Sequence, residues 1–413
     1  MSLDPQRTIA ELKELRALTG DEHGAQRVAW TETWATARAW FRAKLAELPV
    51  EVTTDAAGNV WATLRGARAE ALLIGGHIDS VPNGGWLDGC LDLLAGLEVL
   101  RRIASEGTPP VTVRLVDWAD EEGARFGRSL VGSSAFAGTL DPEDLAELKD
   151  RAEVALPAAL AAHGVDLHKV LDARREQANA AAYLELHIEQ GPVLESMGLP
   201  LGVVLGTFGV ERNRIIWQGQ AAHSGSTPMD KRHDALAGAA KLALHIRAIA
   251  REVGAGAVCT SGGVVCKPGI VTSVVETAEQ LLDQRHLDGA KLAAMLGMAQ
   301  QASARFAEEE QIAVRWEPLW RIDPIPFHSE LIELCDTAIH EVCGTSHRLP
   351  SGPLHDAAEV CRAGIPTVML FVQSLRGISH NKIEDTSEEH IALAVQALDR
   401  LASKTIDWIV ARG

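Results

Sequence analysis

Apolar positions recur with two different periods along the chain. Residues 9–19 and 22–46 repeat at helical spacing, which predicts two helices. Residues 50–66, VEVTTDAAGNVWATLRG, alternate about an AAGN turn and predict a β-hairpin. ALLIGGHID (71–79) predicts a strand that ends at a glycine pair and a histidine. A helix is expected from Asp88 to about residue 105, and 112–123 predicts a strand with an acidic end. Strand, helix, strand in this order implies a mixed or parallel α/β sheet.

Residues 141–178 read as helical and polar. The segment 181–195, AAYLELHIEQGPVLE, predicts a strand running into a turn and a short helix. Residues 203–225 carry a strand and a candidate crossing between domains. A long helix over 234–254 is followed by a segment, 261–288, that is strand-like at both ends. A helix over 287–308 and a strand over 311–322 complete a β-α-β-β-α-β order, so residues 211–326 predict a compact α+β unit. From residue 327 a helix, a loop, a short strand and a long helix resume the first pattern. The expected architecture is α/β: a mixed-sheet domain of residues 1–210 and 327–413, interrupted by an inserted α+β domain of residues 211–326.

Composition narrows the function classes. The chain has 413 residues, enough for two or three domains with sizeable cores. A formal charge of −17 argues against a broad nucleic-acid surface and against anionic lipid as a partner. The aromatic residues are few (Trp 10, Tyr 1, Phe 7), so alanine, leucine and valine must fill the core. No apolar run reaches the roughly 20 residues that span a bilayer. The start carries no basic segment followed by an apolar one, so no secretory signal and a cytoplasmic location are expected. Cys90, Cys259, Cys266, Cys335, Cys343 and Cys361 are scattered without a CxxC, which argues against a thiolate metal cluster.

Hard metal ligands concentrate in five short segments: GGHIDS around His77, WLDGC around Asp88, DWADEEGARF around Glu121 and Glu122, YLELHIEQGP around His187, and GISHNKIEDT around His380. Imidazole and carboxylate donors suit zinc, manganese or cobalt. Taken alone, each has a plainer explanation. An HxD is often a loop histidine beside a carboxylate, paired glutamates can be a solvated strand end, and His380 before Asn381 can occupy a turn. Their joint placement, where predicted strands stop, favours a shared site, because α/β sheets bind ligands outside the carboxyl ends of their strands.

The runs GGHIDSVPNGGWLDG, EEGARF with the later GSSAFAG, LHIEQGPVLE, QAAHSGSTPMDKRHDAL, LDQRH, SGPLHDA and GISHNKIE resemble those of the hydantoinase/carbamoylase branch of the M20 di-metal amidohydrolases. The resemblance covers about residues 5–405. It implies a di-metal catalytic domain, an inserted ferredoxin-like dimerisation or lid domain, and two divalent ions (Zn, Mn or Co) per subunit. It also implies a homodimer and a small substrate that bears a carboxylate. His77, Asp88 and His187 would hold one ion. Asp88, Glu122 and His380 would hold the other, with Asp88 bridging. Glu121 would be the general base, and Asp79 would orient His77 from behind. His223 would help hold the substrate carbonyl oxygen, Arg285 would anchor the carboxylate, and Gln190 would contact the urea-like head. Gly352 and His355 would lie near the substrate carboxylate. The implied reaction is hydrolysis of an N-carbamoyl-L-amino acid to the amino acid, carbon dioxide and ammonia. Allantoate, ureidoglycolate or N-acyl-amino-acid hydrolysis, a dipeptidase, and a non-catalytic metal-stabilised binding protein are the alternatives.

Several positions depart from the pattern. Thr272 stands where an asparagine is usual, and its hydroxyl lacks the amide's paired donor and acceptor. Val275 and Glu276 replace a Pro-Gly turn. Cys90 and Asp92 occupy positions more often small and uncharged, and Leu354 replaces a glycine. Asp92 either shapes the site or caps its helix.

Overall fold

The computed structural model describes residues 2–412. The chain divides into two compact units, Met1–Leu205 with Phe327–Gly413, and Gly206–Pro326.

The larger unit is built on a mixed sheet. Four parallel strands occupy its centre in the order Thr367–Val372, Ala180–Ile188, Arg68–His77 and Val111–Trp118. Their residues are apolar and buried on both faces, for example Leu72, Leu73 and Ile74, and Val368 through Val372. Antiparallel strands extend both sides: Leu201–Thr207 beside Thr367–Val372, and Val60–Leu64 then Glu51–Thr54 beyond Val111–Trp118. The last two are the expected hairpin. The helices Pro5–Thr19, Cys90–Ser105 and Glu388–Arg412 pack against one another, the last two over the central strands, and Ser329–Cys343 packs on Glu388–Arg412.

Two helix expectations differ from the structure. The second helix starts at Glu32, not residue 22. Residues Gly20–Asp21 instead pair with Gly24–Ala25, and Thr31 is extended, its hydroxyl accepting the Trp34 N–H. Capping at Thr31 thus outweighs the apolar spacing before it. The polar stretch 141–178 is three short pieces, Pro142–Ala146, Leu156–Ala162 and the 3₁₀ segment Leu167–Gln177. Side chains of Asp141, Asp150 and Asp166 each accept N–H groups two residues on, which restarts the chain every dozen or so residues.

The smaller unit is a four-stranded antiparallel sheet in the order Val258–Lys267, Thr277–His286, Gly209–Gln218, Ala313–Ile322. The helices Ala235–Val253 and Gly289–Glu309 cover it. Trp217, Leu242, Ile246, Leu282, Met295 and Phe306 form its core. Val275, one of the departures from the family pattern, is buried there and its carbonyl accepts the Ala235 N–H.

Candidate metal centre

The carboxyl ends of all four central strands lead to one cluster. His77 is the last residue of its strand, and His187 is next to last in Ala180–Ile188. Glu121 and Glu122 follow Val111–Trp118, and His380 lies in the loop after Thr367–Val372. Asp88 arrives on the loop between His77 and the helix Cys90–Ser105. That helix starts at Gly89 with φ +68°, where a Cβ would fall 2.3 Å from the His77 ring. Only glycine lets the helix begin this close to the histidine.

Asp88 divides its two oxygens. Its Oδ1 lies 3.2 Å from His187 Nε2 and 3.7 Å from His77 Nε2. Its Oδ2 lies 3.3 Å from His380 Nε2, which in turn is 3.4 Å from a Glu122 oxygen. Two groups result, His77–Asp88–His187 and Asp88–Glu122–His380, each with donor atoms within 4.8 Å of one another. Both buried imidazoles have their Nδ1 beside a carbonyl oxygen: His77 on Asp79 O at 3.1 Å, His187 on Ile188 O at 2.8 Å. A carbonyl can only accept, so the neutral ring carries its proton on Nδ1 and turns the Nε2 lone pair toward Asp88. His77 Nε2 is buried with no hydrogen-bond partner. Nitrogen lone pairs converging on a shared carboxylate fit a pair of divalent cations.

Electrostatics without a cation show how much negative charge is packed here. Burial pushes the Glu121 carboxyl well up, with Glu122 adding and His77 opposing. Burial, then the Asp88 charge, pushes Glu122 up to about 7. Burial opposes charge on His77, but Glu121 and Asp79 hold its pKa well up. His380 is raised to about 9, chiefly by its contact with Asp88. Asp88 resists burial and stays well below the usual range because His187 and His380 both contact it. Glu121 belongs to neither three-residue group, yet its Oε2 is 3.7 Å from His77 Nε2.

Asp79 differs from the expectation in detail. Its carboxylate is 3.6 Å from His77 Nδ1, while its backbone oxygen takes the closer contact. The carboxylate instead accepts the N–H groups of Glu121 and Glu122, both at 3.2 Å. It pins the acidic turn as well as lying beside the imidazole.

Gln190 joins the cluster, with φ +57°. Its Nε2 donates to Asp88 Oδ2 at 2.9 Å and to Ser379 Oγ at 3.1 Å, and its Oε1 is buried without a partner. His380 and Asp120 also sit at positive φ, so three non-glycine residues hold sparsely populated backbone around the site. The His355 ring packs 4.2 Å from that of His187, and burial, then the His187 charge, pushes its pKa well down. Its neighbours in the loop, Gly352 and Leu354, are half-buried. His223, Thr272 and Arg285 belong to the smaller unit. His223 pairs with Ser273 in a two-residue ladder, and the Thr272 carbonyl accepts the Ser224 N–H. The Gly225 N–H donates to His223 Nδ1 at 3.1 Å, so the neutral ring keeps its proton on the exposed Nε2. Arg285 forks onto Asp283 at 2.8 and 3.2 Å.

Sequence reasoning did not single out Glu384, Ser379 or Ser374. Glu384 Oε1 accepts the N–H groups of Leu87 and Asp88, and its Oε2 accepts the Ser379 hydroxyl. Burial, then the Asp88 charge, pushes Glu384 up to about 7. Ser374 Oγ accepts the Gln190 N–H. The signal for Glu384 was the GISHNKIE run, which contains it four residues after His380. Among the described residues, no helix is long and apolar enough to cross a membrane.

Comparison with known proteins places this geometry. The family model described as Peptidase family M20/M25/M40 matches residues 73–404. The chain is 34% identical over 380 residues to an N-carbamoyl-L-amino acid amidohydrolase of Geobacillus stearothermophilus, covering 91% of this chain and 92% of that one. It is 31% identical over 383 residues to the allantoate amidohydrolase of Escherichia coli (strain K12), covering 91% of each. A hydantoinase/carbamoylase family amidase from Burkholderia multivorans superposes with a TM-score of 0.87 at 30% identity, over 97% of both chains. The chain belongs to the M20 family, in its hydantoinase/carbamoylase branch, and is a hydrolase of carbon–nitrogen bonds with a candidate binuclear metal site.

Proposed function

We propose that the protein hydrolyses an N-carbamoyl-L-amino acid to the amino acid, carbon dioxide and ammonia. The observation that carries this reading is the division of Asp88 between two ligand groups, with Glu121 beside them but a member of neither. In this reading His77, Asp88 and His187 hold one ion, and Asp88, Glu122 and His380 hold the other. Two divalent ions supply Lewis acidity toward the carbonyl and lower the pKa of water. Glu121 accepts the proton of the attacking water and returns it to the departing nitrogen. Burial suits it to both steps, because it brings the carboxyl's proton affinity closer to that of its partners. Asp79 fixes Glu121 through its backbone N–H. Gln190 presents a buried amide oxygen, an acceptor suited to the N–H₂ of a carbamoyl head.

The same reading gives His223, with its proton on Nε2, the role of donor to the carbonyl oxygen. Arg285 takes the substrate carboxylate as a bidentate partner, in exchange with Asp283. Thr272, Gly352 and His355 complete the substrate contacts. Residues 211–326 act as a ferredoxin-like dimerisation or lid domain, a role supported by their β-α-β-β-α-β order and antiparallel sheet. The carbamoylase names among the relatives favour this substrate class over allantoate, which two of the relatives are named for.

The test is a turnover screen of the ion-loaded enzyme on carbamoyl, acyl and ureido substrates, with product identification, repeated for Arg285→Ala. Ammonia release from N-carbamoyl-L-amino acids is expected, with KM raised at least tenfold in the variant. Equal activity on carboxylated and decarboxylated analogues would refute the anchor. Ammonia release from allantoate alone would replace the substrate.

A further inference from the structure

Asp92 is an ionisable side chain in a place that offers its charged form nothing. It lies in the first turn of the helix Cys90–Ser105, only 1% exposed, and both of its oxygens are buried without a hydrogen-bond partner. It does not cap the helix. The N–H groups of Cys90, Leu91 and Leu93 go to the backbone oxygens of Asp88, Leu87 and Gly89. Its Cβ is packed against the sheet at Gly76, where any side-chain Cβ would lie only 2.5 Å from it.

The surroundings sharpen the contrast. Glu185, also buried, is satisfied by the Tyr183 hydroxyl at 2.5 Å and the Ala357 N–H at 3.0 Å. Among the described residues Asp92 has only His187 Nε2, at 3.9 Å, the same nitrogen that faces Asp88 Oδ1 at 3.2 Å. In the neutral ring the His187 proton lies on Nδ1, toward Ile188 O, so Nε2 and both carboxylates then converge as lone pairs. Leaving a buried carboxylate so placed is expensive unless a positive charge sits nearby.

We propose that Asp92 adds its charge to the His77–Asp88–His187 ion site, from just behind His187, and tightens that site's hold on a divalent cation. The inference rests on the two-ion reading above. Residues behind the direct ligands commonly change metal affinity by about 10–100-fold when replaced. By the resemblance a small, uncharged residue is more usual here, so the added carboxylate distinguishes this chain's first site.

The experiment is a Mn²⁺ titration, by chelator competition, of apo protein carrying His380→Ala, in which the His77–Asp88–His187 group alone stays complete. Asp92→Asn and Asp92→Gly are then compared in that background, and apo thermal unfolding is recorded for each. Affinity is expected to fall about 10–100-fold in both variants, with an apo Tm no lower than that of the parent. Unchanged affinity overturns the proposal. An apo Tm that falls together with the affinity also overturns it, because Asp92 then holds the helix start rather than an ion. Absence of Mn²⁺ binding to the unmutated protein overturns the two-ion reading itself, and is told apart by that control.

Discussion

Asp79→Asn separates two accounts of the same buried residue. Asp79 is fully buried, and its carboxylate receives two N–H groups at 3.2 Å, from Glu121 and Glu122. Asparagine keeps the shape and one oxygen, but turns an NH₂ toward one of those donors. One buried N–H then lacks an acceptor, which costs about 1–3 kcal/mol. At about 2.1 cal/mol/K of unfolding entropy per residue, a unit of about 290 residues loses roughly 2–5 °C of Tm. The activity effect is larger, because the same turn carries Glu121. A shift of about 1 Å in a reacting group costs up to about 10²-fold, so kcat should fall by about 10–100-fold. The His77 Nδ1 contact is to the Asp79 backbone oxygen, which the substitution leaves in place. Ion stoichiometry, read by elemental analysis after gel filtration, should therefore stay at the wild-type value. Wild-type kcat together with loss of one ion would refute the reasoning. It would mean that the carboxylate orients His77 and not the acidic turn.

Gly85→Ala places a Cβ 2.0 Å from Glu384 Oε1 and 2.6 Å from its Cβ, so Glu384 must leave the N–H groups of Leu87 and Asp88. A loss of kcat of at least tenfold, with near-normal secondary structure by circular dichroism, is expected; full activity would show that Asp88 needs no such support. Away from the site, Arg348 holds Asp336 and Glu333 at 2.9 and 2.6 Å and lowers the Asp336 carboxyl. A carboxyl lowered on folding stabilises above its unfolded value near 4 and loses that contribution as pH falls through the lower folded value. Arg348→Met should thus reduce stability by up to about 1 kcal/mol at neutral pH, with the gap to wild type closing as pH falls below the unfolded value near 4. A gap that persists there points to lost packing instead.

The parts of the fold legible in the sequence are those where one period dominates. The strand ending at His77, the helix Ala235–Val253 and the β-α-β-β-α-β run each bury a regular face, so their pattern survives any context. The helices misread at 22–46 and 141–178 fail where single side chains, Thr31, Asp150 and Asp166, redirect the backbone against the apolar spacing. The short strand Arg348–Ser351 and helix Asp356–Arg362 carry too few residues to show a period. The ligand residues were visible as motif letters, and the resemblance grouped them about Asp88, but periodicity and spacing alone could not. That grouping depends on four strands reaching the same edge. Glu384 and Ser379 act through hydrogen bonds to Asp88 and its loop, and hydrogen-bond partners 291 and 296 residues apart leave no local trace.

The two ligand groups differ in exposure, and the difference follows from where the chain supplies them. His77 and His187 lie on central strands and are 2% and 1% exposed. His380 comes from a loop, and its side chain is 51% exposed. A cation held by the first group is screened by protein, where each added negative charge counts for more than it would in water. A cation held by the second shares Asp88 but faces solvent. Asp92 sits on the buried side, beside His187, so in the proposal above its charge acts where the dielectric is lowest. The residues that anchor Asp88 from behind, Glu384, Ser379 and Gln190, approach its Oδ2 or its backbone N–H. In the two-ion reading they fix the half of Asp88 that faces the exposed group, while the two imidazoles face its other oxygen. The asymmetry of one carboxylate is thus the asymmetry of the sheet edge on which it stands.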